Sequence, residues 1–131
     1  MNLYPIVTTL APAECRDFYR KAFDARVLFE TDWYVHLMVG KWEIGFLKPN
    51  PPQKLPVFQH TKPSHGLTLA IEVRDVKKSY EHCIERGIET LGKPEVFANG
   101  EWSFSVMDPA GVILNFVEHR GGGAESQVVQ I

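Results

Sequence analysis

Met107-Asp108-Pro109-Ala110-Gly111-Val112-Ile113-Leu114-Asn115-Phe116-Val117-Glu118 reads as a tight Asp-Pro-Ala-Gly turn feeding a strand with two distinct faces. An Asp side chain bonds nearby backbone N–H groups, Pro presets its own φ, and Gly111 can close the turn with positive φ at no steric cost. Beyond the turn, Val112, Leu114 and Phe116 share one face, and Ile113, Asn115 and Val117 share the other. Asn115 interrupts an otherwise apolar strand. It is either a satisfied polar residue on a half-wet face or the lining of a cavity.

Upstream of that turn, Trp102, Phe104 and Val106 alternate with Ser103, Ser105 and Met107, and Asn99-Gly100 signals a hairpin turn before them. Residues 88–98 hold one strand or two. Before those lies a helix with Asp75 as N-cap, a stripe of Val76, Tyr80, Cys83 and Ile84, and Gly87 as the residue after its end. A strand over Leu67–Val73 precedes the helix, with Thr68, Ala70 and Glu72 on the face opposite Leu69 and Ile71.

The first half of the chain carries the same order. Tyr4–Leu10 is β-prone, with Pro5 tolerable at a strand start or an edge. Pro12 and Glu14 open a helix whose Cys15, Phe18, Tyr19, Ala22 and Phe23 form one buried stripe, ending near Asp24. Arg26–Thr31, Trp33–Val39 and Trp42–Leu47 read as three strands. Gly40-Lys41 is a two-residue hairpin loop, and pairing Val39 with Trp42 across it sets both faces. Val35, Leu37, Val39, Trp42, Ile44 and Phe46 then face the helix. Tyr34, His36, Met38, Glu43, Gly45 and Leu47 face the other way, a mixture suited to a cavity wall. Trp33 sits beside that wall, as core or rim.

Tyr4 and Thr68 thus begin matching units 64 residues apart, an internal repeat. We expect one α+β domain over residues 1–131, built of two βαβββ modules at about 3–48 and 67–118. A Pro-rich linker at 49–66 joins them, and a flexible tail at 119–131 ends the chain with a short strand-like run. Leu55, Val57 and Phe58 suggest that the linker docks on something, and Phe58 either closes over a ligand or, by preference, docks onto a partner subunit.

At 131 residues the chain can bury a real core, and 44% hydrophobic with 23% charged residues is an ordinary globular composition. A net charge of −2 argues against nucleic acid or an anionic membrane as the main partner. The absence of a bilayer-length apolar run and of a leader-like N-terminus leads us to expect a cytoplasmic protein. Cys15 and Cys83 fit small hydrophobes on helix faces, not a disulfide or zinc site.

The repeated βαβββ order, Asp17-Phe18-Tyr19 in the first helix and Asp108-Pro109-Ala110-Gly111 before the last strand resemble the vicinal oxygen chelate superfamily. That superfamily includes glyoxalase I, extradiol dioxygenases, fosfomycin-resistance enzymes and bleomycin-resistance proteins. The resemblance spans residues 3–118 and implies sheets curled around a cup, usually in a homodimer. In metal-dependent members four side chains, commonly His, Gln or Glu, reach into the cup from the first and last strands of each module. Carried onto this chain, those positions fall on Tyr4, Gly45, Thr68 and Asn115, a poor set of metal ligands. A slip of one residue would put Glu43 or Glu72 on the wrong face, and slips of two in both modules at once would be needed to recruit them. A grouping of His36, His60, His65 and Glu43 has no recognisable spacing, and His82 and His119 read as solvated.

The resemblance therefore points to the bleomycin-resistance group, which sequesters a drug without altering it, with no metal and no cofactor. The expected partner is a small molecule, an aromatic antibiotic among the possibilities. Tyr4, Tyr34, His36, Met38, Thr68, Ser103, Ser105 and Asn115 are the candidate ligand-binding residues, supplying flat surface and a few polar groups. If the last hairpin were in the other register, Trp102 and Phe104 would line the pocket instead. The alternative is a glyoxalase-like lyase or isomerase, with Glu43 and Glu72 as acid and base and His36 as proton carrier, or a metal site outside the usual positions. A third reading is a dimeric module that binds another protein, its cup filled by its own side chains.

Overall fold

Residues 2–52, 66–96 and 100–119 are described in a computed structural model of the chain, which divides into two compact units. The first comprises Met1–Leu67 with Asp108–Val112, and the second Thr68–Met107 with Ile113–Ile131. Together they make an α+β fold, with a four-stranded mixed sheet and a helix in each unit.

In the first unit the order is β1 (Ile6–Thr8), α1 (Pro12–Phe23), β2 (Arg26–Glu30), β3 (Tyr34–Val39) and β4 (Trp42–Leu47). Helix α1 starts at Pro12, whose missing N–H costs nothing there. It ends where Asp24 takes the left-handed conformation (φ 54°), so that the Asp24 and Ala25 N–H groups donate back to Arg20 and Tyr19 carbonyls. Gly40 turns the β3–β4 hairpin with φ 61° and sets Val39 against Trp42. β1 pairs parallel with β4, giving the sheet order β1-β4-β3-β2. Val7, Val35, Leu37, Ile44 and Phe46 are buried on the helix side, where the Tyr19 ring packs 5.2 Å from that of Phe46.

The second unit repeats this with β5 (Thr68–Glu72), α2 (Val76–Glu85), β6 (Glu95–Val96), β7 (Glu101–Met107) and β8 (Ile113–His119). Its sheet order, β5-β8-β7-β6, is the first unit's order moved along by one module. Asp75 caps α2 by accepting the Lys78 N–H at 3.1 Å, and Glu118 accepts the Val76 N–H at 2.8 Å. Gly87 leaves the helix at φ 71°. Phe104, Val106, Leu114 and Phe116 are buried, with Phe104 stacked on Phe116 at 4.7 Å and Tyr80 edge-on to Phe104 at 5.4 Å. The register that buries these aromatics leaves Ser103, Ser105 and Met107 on the opposite face.

The Asp-Pro-Ala-Gly turn packs within the first unit. Asp108 Oδ1 accepts the Ala110 and Val112 N–H groups, each at 2.8 Å, and Oδ2 accepts the Tyr19 hydroxyl at 2.8 Å. Gly111 completes the turn at φ 86°. Burial outweighs these bonds and raises the Asp108 pKa above the ordinary aspartate value. Burial likewise pushes the Cys15 thiol up to about 12, with Asp108 adding to the effect, so Cys15 is an inert core residue. Both cysteines are free and buried.

Several elements depart from the sequence expectation. Strand β1 is shorter than Tyr4–Leu10, so Tyr4 lies ahead of it, outside the sheet. Trp42 is 63% exposed, because β4 begins at the hairpin end beyond the cover of α1. Ile84 is 51% exposed, since the stripe of α2 rolls off the sheet before its last turn. Residues 88–96 hold the two-residue β6, in keeping with the one or two strands expected over 88–98. Leu55, Val57, Phe58, His60 and His65 of the linker, Asn99 of the hairpin turn, and the tail beyond His119 lie outside the described residues. Among the described residues no helix is long and apolar enough to cross a membrane.

Candidate functional site

The sheet face turned away from α1 carries a continuous hydrogen-bonded chain of side chains. β3 places Tyr34 and His36 two residues apart, hence on one face, and the hairpin register sets His36 opposite Gly45 and Met38 opposite Glu43. Glu43 is therefore the diagonal neighbour of His36, within reach of its ring. His36 Nε2 lies 2.7 Å from Glu43 Oε1, and His36 Nδ1 lies 2.6 Å from the Tyr34 hydroxyl. Asn2 Nδ2 donates to the second Glu43 oxygen. The Tyr4 ring closes over His36 edge-on at 4.8 Å, and Trp33 and Phe29 flank Tyr34 at 6.2 and 6.4 Å.

Electrostatics assign the protons. Hydrogen bonds from His36 and Asn2 hold Glu43 below the usual glutamate range, so its carboxylate is ionised and can only accept. His36 Nε2 must then carry the hydrogen, and in the neutral ring Nδ1 accepts the Tyr34 O–H. Desolvation, with smaller contributions from Tyr4 and Glu43, pushes the Tyr34 phenol up to about 12.

Gly45 is what lets this arrangement form. A Cβ built there would sit 2.3 Å from the Tyr34 hydroxyl and 2.9 Å from the ring carbon bearing it. Tyr34, paired across the ladder with Leu47, leans diagonally into the notch beside His36. The phenol thus occupies the space into which any side chain at position 45 would project. The resemblance would place a metal ligand at position 45, and the set Tyr4, Gly45, Thr68 and Asn115 that it implies contains no His, carboxylate or thiolate. The residues do not fit a divalent ion at those positions. Among the described residues no group of three His, Cys, Asp or Glu side chains could hold one elsewhere.

On the corresponding face of the second unit, Ala70, Asn115 and Ser105 form one row across β5, β8 and β7. Ser105 Oγ donates to Asn115 Oδ1 at 2.8 Å, so the half-buried amide is held in one orientation. Thr68 lies one pair away on that face, beside Ile113 and Met107, and Ser103 lies one pair to the other side, beside Val117 and Glu72. Thr68 and Glu72 are exposed and Ser103 is buried. Met38 is half-buried beside Glu43 in the first unit. The candidates Tyr4, Tyr34, His36 and Glu43 are thus brought together in one unit, and Ser105 and Asn115 in the other. His82 is exposed.

Sequence reasoning misses Asn2, since nothing in the residues ties it to Glu43. The Tyr34–His36–Glu43 chain is legible in principle, because alternation and the hairpin register already put all three on one face. A separate cavity of about 310 Å³ lies at the start of α1, lined by Pro12, Glu14, Glu30, Asp32 and Lys48 among others. It includes Val35, on the helix side of the sheet, and is distinct from the hydrogen-bonded chain.

The two units repeat one βαβββ order, each with a helix and a four-stranded mixed sheet. The chain belongs to the Glyoxalase/Bleomycin resistance protein/Dioxygenase superfamily, whose family model matches residues 7–116. Among solved structures, lactoylglutathione lyase from Agrobacterium tumefaciens is 17% identical, with TM-score 0.74, over 90% of this chain and 92% of that one. A bleomycin-binding protein complexed with bleomycin is 17% identical, with TM-score 0.65, over 92% and 99%. A glyoxalase/bleomycin resistance protein/dioxygenase from Nocardioides has TM-score 0.78 at 13% identity, over 100% and 89%. No curated protein matches the chain significantly.

Proposed function

We propose that this protein binds a small molecule without a metal and sequesters it unaltered, in the cytoplasm and as a homodimer. The observation that carries the reading is the notch at Gly45. Position 45, where the resemblance would place a metal ligand, is a glycine whose side-chain space the Tyr34 phenol occupies. What surrounds it suits the capture of a flat ligand. Tyr4, Tyr34, Phe29 and Trp33 offer aromatic surface. His36 is an orienting polar group there, with Met38 as a soft contact; on the corresponding face of the second unit the proposed ligand-binding residues are Thr68, Ser103, Ser105 and Asn115. The Glu43 carboxylate favours a ligand with a basic nitrogen. The bleomycin complex of a structural relative supports this class of ligand.

Native mass spectrometry and tryptophan-fluorescence quenching against a panel of aromatic antibiotics test it. At least one stoichiometric complex is expected, weakened by Tyr34→Phe where the ligand sits on the first unit's face or by Asn115→Ala where it sits on the second's. Uniform absence of binding would overturn sequestration, and a stoichiometric metal ion in elemental analysis would overturn metal independence.

A second reading, a glyoxalase-like lyase or isomerase, is favoured by the His36–Glu43 hydrogen bond, which couples a proton carrier to a carboxylate. It requires a turnover, first found by metabolite profiling, that Glu43→Gln and Glu72→Gln abolish.

A further inference from the structure

We propose that Tyr34, His36 and Glu43 form a nucleophilic triad, with the Tyr34 phenol oxygen as the attacking atom and an ester as the substrate class. Neither a metal nor the ligand sought above is required. The basis is the order of the three groups. An activated nucleophile is recognised by a base within hydrogen-bond reach and a third group that orients the base. Here Nδ1 of His36 is 2.6 Å from the phenol oxygen, and Oε1 of Glu43 is 2.7 Å from Nε2. With Nε2–H committed to an ionised carboxylate, Nδ1 is left as the base facing the phenol. Asn2 holds the other carboxylate oxygen, so the orienting group is itself oriented.

A purely structural network would be expected to seal itself from solvent. This one lies on the sheet face opposite α1, with Tyr34 and Glu43 both partly exposed. Gly45 provides the notch that brings the phenol oxygen alongside the imidazole. Because burial holds the phenol protonated at rest, the proton leaves only as the oxygen forms a new bond.

In the acyl transfer, the Tyr34 oxygen bonds to the ester carbonyl carbon, and the bond from that carbon to the alcohol oxygen breaks. The phenol proton passes to His36 Nδ1, and the resulting imidazolium is held by the Glu43 carboxylate. That proton then goes to the departing oxygen, leaving acyl-Tyr34 and the free alcohol.

The test uses the full chain and 4-nitrophenyl acetate, with acetylation of individual tyrosines followed by peptide mass spectrometry. Tyr4 is the internal control, because at 37% exposure it is the more accessible of the two. If accessibility governs, Tyr4 reacts first. The triad predicts the reverse order, with Tyr34 ahead by roughly 100-fold, the scale of a positioned general base. Glu43→Gln and His36→Gln should each slow Tyr34 by at least roughly tenfold while the rate of Tyr80, in the other unit and packed on Phe104, stays constant. Gln at 36 can still accept the phenol hydrogen bond but cannot take up its proton. The proposal is overturned if Tyr4 reacts as fast as Tyr34 in the unaltered protein, or if Tyr34 keeps its rate in both variants. Should a variant fail to fold by circular dichroism, the Tyr34-to-Tyr4 ratio in the unaltered protein still decides.

Discussion

Replacing Tyr19 by Phe removes one oxygen and probes how the Asp-Pro-Ala-Gly turn is anchored. The Tyr19 side chain is 2% exposed and its hydroxyl donates to Asp108 Oδ2 at 2.8 Å, while Asp108 itself is 4% exposed. A hydrogen bond to a charged acceptor contributes about 1.5–3 kcal/mol, and little water can reach the orphaned oxygen, so a loss of about 2 kcal/mol is expected. For a chain of this size that corresponds to a fall in Tm of roughly 6–10 °C. The effect carries a pH signature. Because burial raises the Asp108 pKa in the folded state, its protonation favours folding. That contribution is complete below the ordinary aspartate value and is lost as pH rises through the folded-state value. The Tyr19 bond opposes the rise, so Tyr19→Phe pushes the folded pKa higher still. The variant's deficit should therefore be largest near neutral pH and shrink on acidification through the folded-state pKa. Urea unfolding followed by circular dichroism at several pH values measures this. A deficit below about 0.5 kcal/mol at neutral pH, or one independent of pH, would refute the anchoring role.

Two further substitutions test the other key positions. Gly45→Ala puts a Cβ where the Tyr34 hydroxyl sits, 2.3 Å away, so Tyr34 must withdraw from His36. A stability loss of about 1–3 kcal/mol is expected, together with loss of any ligand binding that Tyr34→Phe also weakens, read by thermal unfolding and titration. Asp75→Ala removes the acceptor for the Lys78 N–H and should cost about 1 kcal/mol in urea unfolding, with the candidate site unaffected.

Much of the fold is local physics and therefore legible in the residues. Gly40-Lys41 and Asp108-Pro109-Ala110-Gly111 specify their turns through backbone preference, and period-two alternation on either side sorts the faces. That is why alternation and the hairpin loop suffice to assign Tyr34, His36, Glu43 and Gly45 to one face. It is also why the repeat emerges from spacing. Failures concentrate where an element outruns its neighbour. Trp42 and Ile84 have the right periodicity but lie beyond what α1 and the second sheet cover.

By itself, then, the sequence determined the two βαβββ modules, their turns and their facing, because these depend on residues close in the chain. Only the tertiary structure decided that Asp108, far along the chain, is buried against Tyr19 with its pKa raised. Only there does the absent side chain of Gly45 become a notch filled by a phenol, with His36 between that phenol and Glu43. Such properties depend on distances of a few ångströms between side chains that alternation can place on one face but cannot bring into contact.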